Sequence, residues 1–414
     1  MTSISDSKSD KSYRVTMYVL CWISGMFAGI ASTLMPLYLT VITGDIYGTS
    51  DTQTISTVGS YVSSLFLLGW TFGGILLGLA ADKVGRVRSL IIAIVLFTLP
   101  MAMASFVRSL ELLTLCRFLT GAGIGATLVI TTTFIAELWN DKSRATALGF
   151  LANSYAVGIV CAGLINYLIA DWHTAFVISS LPVFMVVVVG LTMKESSKWH
   201  TAKVAADNKL SQINQLFHSS NKKNFIIGTL MFGTMLIGLW AAFSWLPTWV
   251  QSLLAVHENG QQPRGKAMML LGMGGIVGTF FAGFVSNWIG RKKSMLISFA
   301  GCFLAATLLF KTNSSITPLI FIETGLLSLF FGFGQGVMTN YIPELFPTLI
   351  RATATGLCFN IGRIATAIAV FFVGMIVIAL GGYANAVSVF SYAYLVGFIV
   401  TFFAKETKGV ALPE

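Results

Sequence analysis

Charge is scarce in this chain. Aspartate, glutamate, lysine and arginine together make up 10 % of its 414 residues, against about a quarter in a soluble globular domain. So few charges cannot cover a body that faces water, and lipid is the expected solvent. Histidine is nearly missing too. The four present (His173, His200, His218 and His257) all fall in loops or at the ends of apolar runs, which removes the usual neutral-pH proton carrier from the interior of any span. The five cysteines (Cys21, Cys116, Cys161, Cys302 and Cys358) sit inside apolar runs. A disulfide framework is therefore not expected, and small packing residues are the default. There is no Gly-x4-Gly-Lys-Ser/Thr loop, no cluster at metal-ligand spacing and no nucleophile–base arrangement. Enzymatic catalysis, ATP-driven work and a bound metal or cofactor are not expected. The opening MTSISDSKSDKS is polar, and no short apolar segment with a cleavage site follows it, so a removed signal peptide is not expected either.

What the chain does have is long apolar runs. About twelve occur, near residues 14–43, 56–81, 89–107, 110–138, 145–170, 173–193, 225–253, 265–286, 294–311, 316–341, 352–380 and 384–403. A bilayer core needs roughly 20 residues of helix. Their length, and the lack of period-two alternation, predict helices rather than strands. The reading is an all-α membrane protein with twelve transmembrane helices. With both termini placed inside, about 20 of the 26 lysines and arginines fall on cytoplasmic segments, and only Arg108, Arg264, Lys266 and Lys311 fall outside. The net charge of +10 is thus a topology signal, not a nucleic-acid surface. A monomeric, multi-pass protein of the plasma or bacterial inner membrane is expected.

Two stretches half a chain apart are nearly the same. Glu137–Phe150 reads ELWNDKSRATALGF and Glu344–Leu357 reads ELFPTLIRATATGL, an offset of 207; Gly78, Asp82, Gly85 and Arg86 return as Gly283, Asn287, Gly290 and Arg291, an offset of 205. An internal repeat in an apolar chain is the mark of a secondary transporter whose halves rock about a site between them. The expected division is a six-span bundle over 1–193, a connector over 194–224 and a second bundle over 225–414. The connector holds six lysines against two acids, which suits a cytoplasmic, partly amphipathic helix on anionic headgroups. Glycine clusters (Gly121, Gly123 and Gly125; Gly332, Gly334 and Gly336) let helix backbones approach closely.

The segment GLAADKVGRVRSL (78–90) resembles the signature between the second and third helices of the major facilitator superfamily, and the resemblance runs over essentially the whole chain. KESSKW (194–199) and AKETKG (404–409) resemble the Glu-Ser-x-Arg-Trp and Glu-Thr-Lys-Gly elements of its sugar porters and organic-ion transporters. The resemblance implies two six-helix bundles, with the first, fourth, seventh and tenth helices lining a central cavity. Physically, Gly85 permits a tight turn, Asp82 can accept hydrogen bonds from a neighbouring helix N-terminus, and Arg86 can pair with Glu137. With Arg144, Glu195, Arg291, Glu344, Arg351 and Glu406 they make an expected gating set that latches the cytoplasmic side. The plainer alternative is that these charges anchor loops. Asn287 replaces an acid, which predicts a weaker second latch.

Sugar porters carry a glutamine-rich seventh helix, whereas this seventh span has no glutamine before Gln251. It offers Trp240, Trp245 and Trp249 around Pro247. Trp245 and Trp249 share a helix face and fit either a stacking surface or an interfacial aromatic belt. A charge within a span costs several kcal/mol and usually marks a pathway, a pair or a relay. Arg117 and Glu323 each lie about seven residues into their spans. Arg363 lies about eleven in, roughly 16 Å of helical rise, within NIGRIATAIA, which resembles the Gly-Arg-Ile-Gly segment of organic-acid transporters. Arg363 can grip a carboxylate with two parallel bonds. Asn360 shares its face, and Asn153 is the repeat counterpart of Asn360. Glu323 is the sole carboxylate clearly inside a span and so the expected proton carrier, with Arg117 tuning it. Alternatively Arg117 and Glu323 form a static pair, or Arg117 bonds only backbone carbonyls. Aromatic-acid symporters resemble one another in acidic residues of the first helix, and this chain has none between Tyr13 and Gly44. The function expected is import of a small organic anion by proton symport, with Arg363, Asn360, Asn153, Arg117 and Trp245 binding it. A drug or metabolite exporter and a sugar or polyol porter are the alternatives.

Overall fold

A computed structural model describes residues 2–139, 143–195, 219–255, 258–347 and 350–410, and every regular element in them is helical. The helices are α1 (Thr2–Tyr47), α2 (Thr52–Val84), α3 (Arg86–Ala104), α4 (Leu110–Leu138), α5 (Arg144–Leu168), α6 (Trp172–Thr192), α7 (Ser219–Ser252), α8 (Gln261–Ile289), α9 (Arg291–Thr312), α10 (Pro318–Glu344), α11 (Arg351–Ala379) and α12 (Tyr383–Phe402). All twelve are long and apolar enough to cross a bilayer, as the sequence predicts. A 3-10 turn at Leu181–Phe184 interrupts α6, with Pro182 in its first turn, where the missing N–H costs least. Most of the connector, including Ser196–Trp199 and its expected amphipathic helix, lies outside the described residues.

Two of the helix ends in water are closed by acidic N-cap side chains. Asp51 caps α2 by accepting from the hydroxyl and amide of Thr54 and the hydroxyl of Thr49, which holds its carboxyl at about 2. Asp171 does the same for α6 through Thr174. Within the spans, hydroxyls turn back onto their own helix. Thr120, Thr127 and Thr324 each donate to the carbonyl four residues earlier at 2.7–2.8 Å, so they need no water.

Packing repeats with the sequence. The pairs α1–α5, α2–α4 and α3–α4 recur as α7–α11, α8–α10 and α9–α10. The glycine clusters explain how: a methyl group at Gly73 or Gly125 would overlap the carbonyls of Ala122 or Trp70, and one at Gly278 or Gly332 those of Leu329 or Gly275. Two extensive pairs join the first six helices to the last six, α2 with α11 and α5 with α8, beside a smaller contact of α1 with α7.

The turns α2–α3 and α8–α9 lie on one face of the protein, here called the motif face. Gly85 and Gly290 hold these turns at φ +117° and +97°, where a side chain is strained. A Cβ at Gly85 would also overlap the Glu195 carboxylate. Gly85→Ala is expected to destabilise the protein by about 1–3 kcal/mol, seen as a lower melting temperature of purified protein. An unchanged melting temperature would show that the turn adapts.

The joining pairs are closed at the far face and open at the motif face. At the far face, Gly374 N donates to Ser60 Oγ at 2.9 Å and Ser64 Oγ donates to Ala367 O at 2.8 Å. Gly163 and Gly265 pack backbone to backbone, so that a Cβ on either would lie 2.6 Å from the other's carbonyl oxygen. Arg264, buried, donates to Thr40 Oγ1 at 2.8 Å and Gln251 Oε1 at 2.9 Å, tying α8 to α1 and α7. At the motif face, Gly149, Gly283 and Gly356 have open space about them.

Candidate functional site

Between the joined pairs lies a chamber of about 350 Å³. Towards the motif face it widens into a vestibule of about 750 Å³ that shares Trp70, Leu128, Thr132 and Arg363 with it. The walls come from α2, α4, α5, α7, α8, α10 and α11. The expectation of a lining by the first, fourth, seventh and tenth helices holds for three of the four. α1 contributes none of the lining side chains, and α2, α5, α8 and α11 contribute instead, because the halves part along their joining pairs.

Arg363 is the charged group of the chamber itself. Its guanidinium lies 5.8 Å from the ring centres of Trp70 on α2 and of Phe232 on α7, distances at which aromatic faces still attract a cation. Its one hydrogen bond among the described residues is long, 3.4 Å from Nη1 to Asn360 Oδ1. A guanidinium has five N–H donors, so most of this fork is unspent. Asn360 donates to Gly356 O at 2.8 Å, which turns its oxygen towards Arg363; it positions the arginine and is not itself among the lining residues. Asn153 does line the chamber. Tyr155 and Trp240 complete an aromatic wall, with ring centres 5.6 and 5.8 Å from that of Trp70.

Three other expected residues are not in the chamber. Arg117 is 2 % exposed and donates to Ala31 O at 3.1 Å and Ser32 O at 3.5 Å, with its carbon 4.3 Å from the centre of the Phe66 ring. It bonds backbone carbonyls, one of the alternatives left open above. It meets the chamber only indirectly, through Tyr155, whose hydroxyl donates to Ser32 Oγ at 2.7 Å. Glu323 is buried on α10 and accepts from Asn313 Nδ2 at 2.6 Å, at the end of α9. It does not pair with Arg117. Trp245 is fully buried, stacked on Tyr383 with ring centres 5.6 Å apart, and its ring lies against Gly59 of α2; it belongs to the far-face seal. Trp249 is no interfacial belt residue, because it is 2 % exposed and packs edge-on to Phe310.

The gating set forms two like clusters on the motif face. Arg86 bonds Asp82 at 2.7 Å and Glu137 at 3.0 Å. Arg291 bonds Asn287 Oδ1 at 2.6 Å and Glu344 at 3.2 Å. At the N-terminus of α3 the acceptor is Glu195, which takes the amides of Arg86 and Val87 at 2.7 and 3.0 Å; at that of α9 Glu406 takes those of Arg291 and Lys292 at 2.9 and 3.1 Å. Asp82 accepts from Arg86 Nη1 through one carboxylate oxygen. Burial alone would raise the Glu406 carboxyl, but the amides of Lys408, Arg291, Lys292 and Thr407 outweigh it and hold the group below the ordinary range. Thr407 also bonds Glu344. Each cluster ties helices within one half, as struts. Arg144 starts α5, and Arg351 starts α11, donating from Nε to Phe346 O at 3.2 Å and lining the vestibule.

The sequence profile of the Major Facilitator Superfamily matches residues 17–370. The chain belongs to this superfamily. It is similar to the cis,cis-muconate transport protein of Acinetobacter baylyi, 29 % identical over 86 % of this chain and 87 % of that protein. It is also similar to the sialic acid transporter NanX of Escherichia coli, 27 % identical over 82 % of each. Among solved structures, the inward-open xylose transporter XylE of E. coli superposes with a TM-score of 0.79 at 17 % identity, covering 96 % of this chain and 98 % of that one, which speaks to the fold. This superfamily member is accordingly a multi-pass membrane transporter of a small molecule and not an enzyme. Its chamber includes Trp70, Tyr155, Phe232 and Gln335, which the sequence reading does not single out, and Trp240, which it notes without assigning to the site. An aromatic on an apolar helix looks the same whether it faces lipid or a cavity. Gln335, an amide inside a span, is the available signal.

Proposed function

We propose that this transporter moves a small organic anion, a carboxylate-type metabolite, by alternating access of the chamber. The observation that carries the reading is Arg363: a cation in a water-reachable cavity, flanked by two aromatic faces, with most of its donors unspent. The carboxylate would take the guanidinium fork, Asn360 would orient it, Asn153 would hydrogen-bond the far end, and Trp70 and Phe232 would hold the carbon body. Arg117 would add positive potential from behind Tyr155. The relatives named for muconate and sialic acid, both carboxylates, support the same class. The chain would divide at its connector into bundles over 1–193 and 225–414, act as a monomer and keep its basic motif face and both termini in the cytoplasm. On that orientation the arrangement faces inward, and the charge clusters would brace each half as it rocks.

A melting-temperature screen of purified protein tests this. Benzoate, cis,cis-muconate, nicotinate and N-acetylneuraminate are expected to stabilise it, since a ligand preferring the native state raises the transition, while xylose and tetraethylammonium are not. Stabilisation by the sugar or the cation alone would overturn the reading.

Proton symport is the second reading, and Glu323 carries it as a buried carboxylate within a span. It would act from the α9–α10 end rather than on the substrate, with Asn313 as its partner. Under this reading Glu323→Gln abolishes the response of anion uptake to an imposed pH gradient. Uptake that keeps that response removes the residue from coupling.

A further inference from the structure

The charge lining the chamber and its vestibule is of one sign. Arg363 and, at the mouth, Arg351 are the charged lining residues, and no described aspartate or glutamate is among them. Arg117 stands just behind the wall on neutral acceptors, and Ser32, one of them, also accepts the Tyr155 hydroxyl through its side chain. Glu323 is engaged elsewhere with Asn313. The site is therefore a cation without an internal counter-ion.

This has a consequence for the return step of an alternating-access cycle. To change the face it opens to, the protein must pass through a form closed at both ends, in which the vestibule water over Arg363 is lost. Loaded with a carboxylate, the guanidinium enters that form paired and bidentately bonded. Empty, it enters with one 3.4 Å bond and two aromatic faces at 5.8 Å, and an ion stripped of water without a partner is heavily penalised. Among the described residues no carboxylate lines the chamber or the vestibule to neutralise it.

We propose that this transporter is an anion exchanger: it reorients readily when loaded and slowly when empty, so that one organic anion enters as another leaves. The inference rests on the anion reading above. No proton has to travel with the substrate, because the return of the carrier is driven by the second anion. The partner species is any carboxylate small enough for the same chamber, of the class that metabolism of the imported one would release.

Purified protein in liposomes decides it, with the membrane potential clamped by potassium and valinomycin. The labelled probes are benzoate, cis,cis-muconate, nicotinate and N-acetylneuraminate, each first checked for binding by its melting shift. For a probe that binds, loading the liposomes with the same unlabelled anion is expected to speed entry at least tenfold over empty liposomes. Acceleration below tenfold overturns exchange and leaves the anion reading standing. Binding by none of the four overturns the anion reading, and exchange falls with it. Gln335→Glu supplies the missing carboxylate on the chamber wall, and among binding-competent protein it is expected to bring entry into empty liposomes to within threefold of exchange. A variant that binds the anion but keeps the wild-type dependence on loading overturns charge compensation as the cause.

Discussion

Arg363→Ala is expected to lower the uptake kcat/KM for carboxylates by thirtyfold or more and to erase the stabilisation they give to purified protein. Truncating one partner of a desolvated, hydrogen-bonded charge pair costs about 2–5 kcal/mol, which at 1.4 kcal/mol per decade is roughly thirtyfold to several thousandfold. Arg363→Lys separates charge from shape. It keeps the cation but loses the planar fork that matches two carboxylate oxygens, and should fall between wild type and alanine, near a tenfold loss. The guanidinium of Arg363 lies beside Trp70 and Phe232, so the folded state of each variant is checked by its melting temperature without ligand. Full anion affinity in the lysine variant would remove the bidentate role, and full affinity in the alanine variant would remove Arg363 from the site.

The same arginine shows what the sequence discloses and where it falls silent. Twelve helices are legible because each is an apolar run of bilayer length, and the repeat is legible because its charged turns survive in both copies. A cation such as Arg363 is conspicuous in an apolar run. Arg117 and Glu323 are just as conspicuous, yet neither reaches the chamber. Facing is decided by which neighbour each helix packs against, and Arg117 is turned onto the carbonyls of α1 while Glu323 is turned onto the end of α9. Trp245 was ambiguous for a similar reason, since its partner Gly59 lies about 185 residues away. Glu195 and Glu406 cap helix N-termini on the motif face. Their target, the first amides of α3 and α9, depends on where a chain end folds back, which no local pattern states.

The far-face seal makes the last and largest expected effect. Gly374 packs so tightly on α2 that any side chain would overlap Ser56 O and Ser60 Oγ, and Gly163 and Gly265 touch across α5 and α8. At the other ends of the same four helices, Gly149, Gly283 and Gly356 stand open, and Gly78 has only Val129 near it at 3.4 Å. Gly149 and Gly356 are repeat counterparts at the 207 offset, and Gly78 and Gly283 at the 205 offset. These four are small residues without a close cross-half neighbour here, and rocking the halves would supply one. Gly374→Leu should therefore drive the protein out of the arrangement described, because a backbone overlap can be relieved only by opening the far face. Gly149→Leu should hold it there. A population moved from 99:1 to 1:99 needs about 5.5 kcal/mol, which rigid steric overlap between packed helices can supply. A cysteine at Gly356, in protein whose Cys161 is replaced by serine because the other four native thiols are buried, reports the result through its alkylation rate by a maleimide. Labelling is expected to be fast in the otherwise wild-type protein, at least tenfold slower with Gly374→Leu, and undiminished with Gly149→Leu. Equal rates in the first two would mean that the seal does not govern access, and the rocking of α2 on α11 and α5 on α8 would have to be given up.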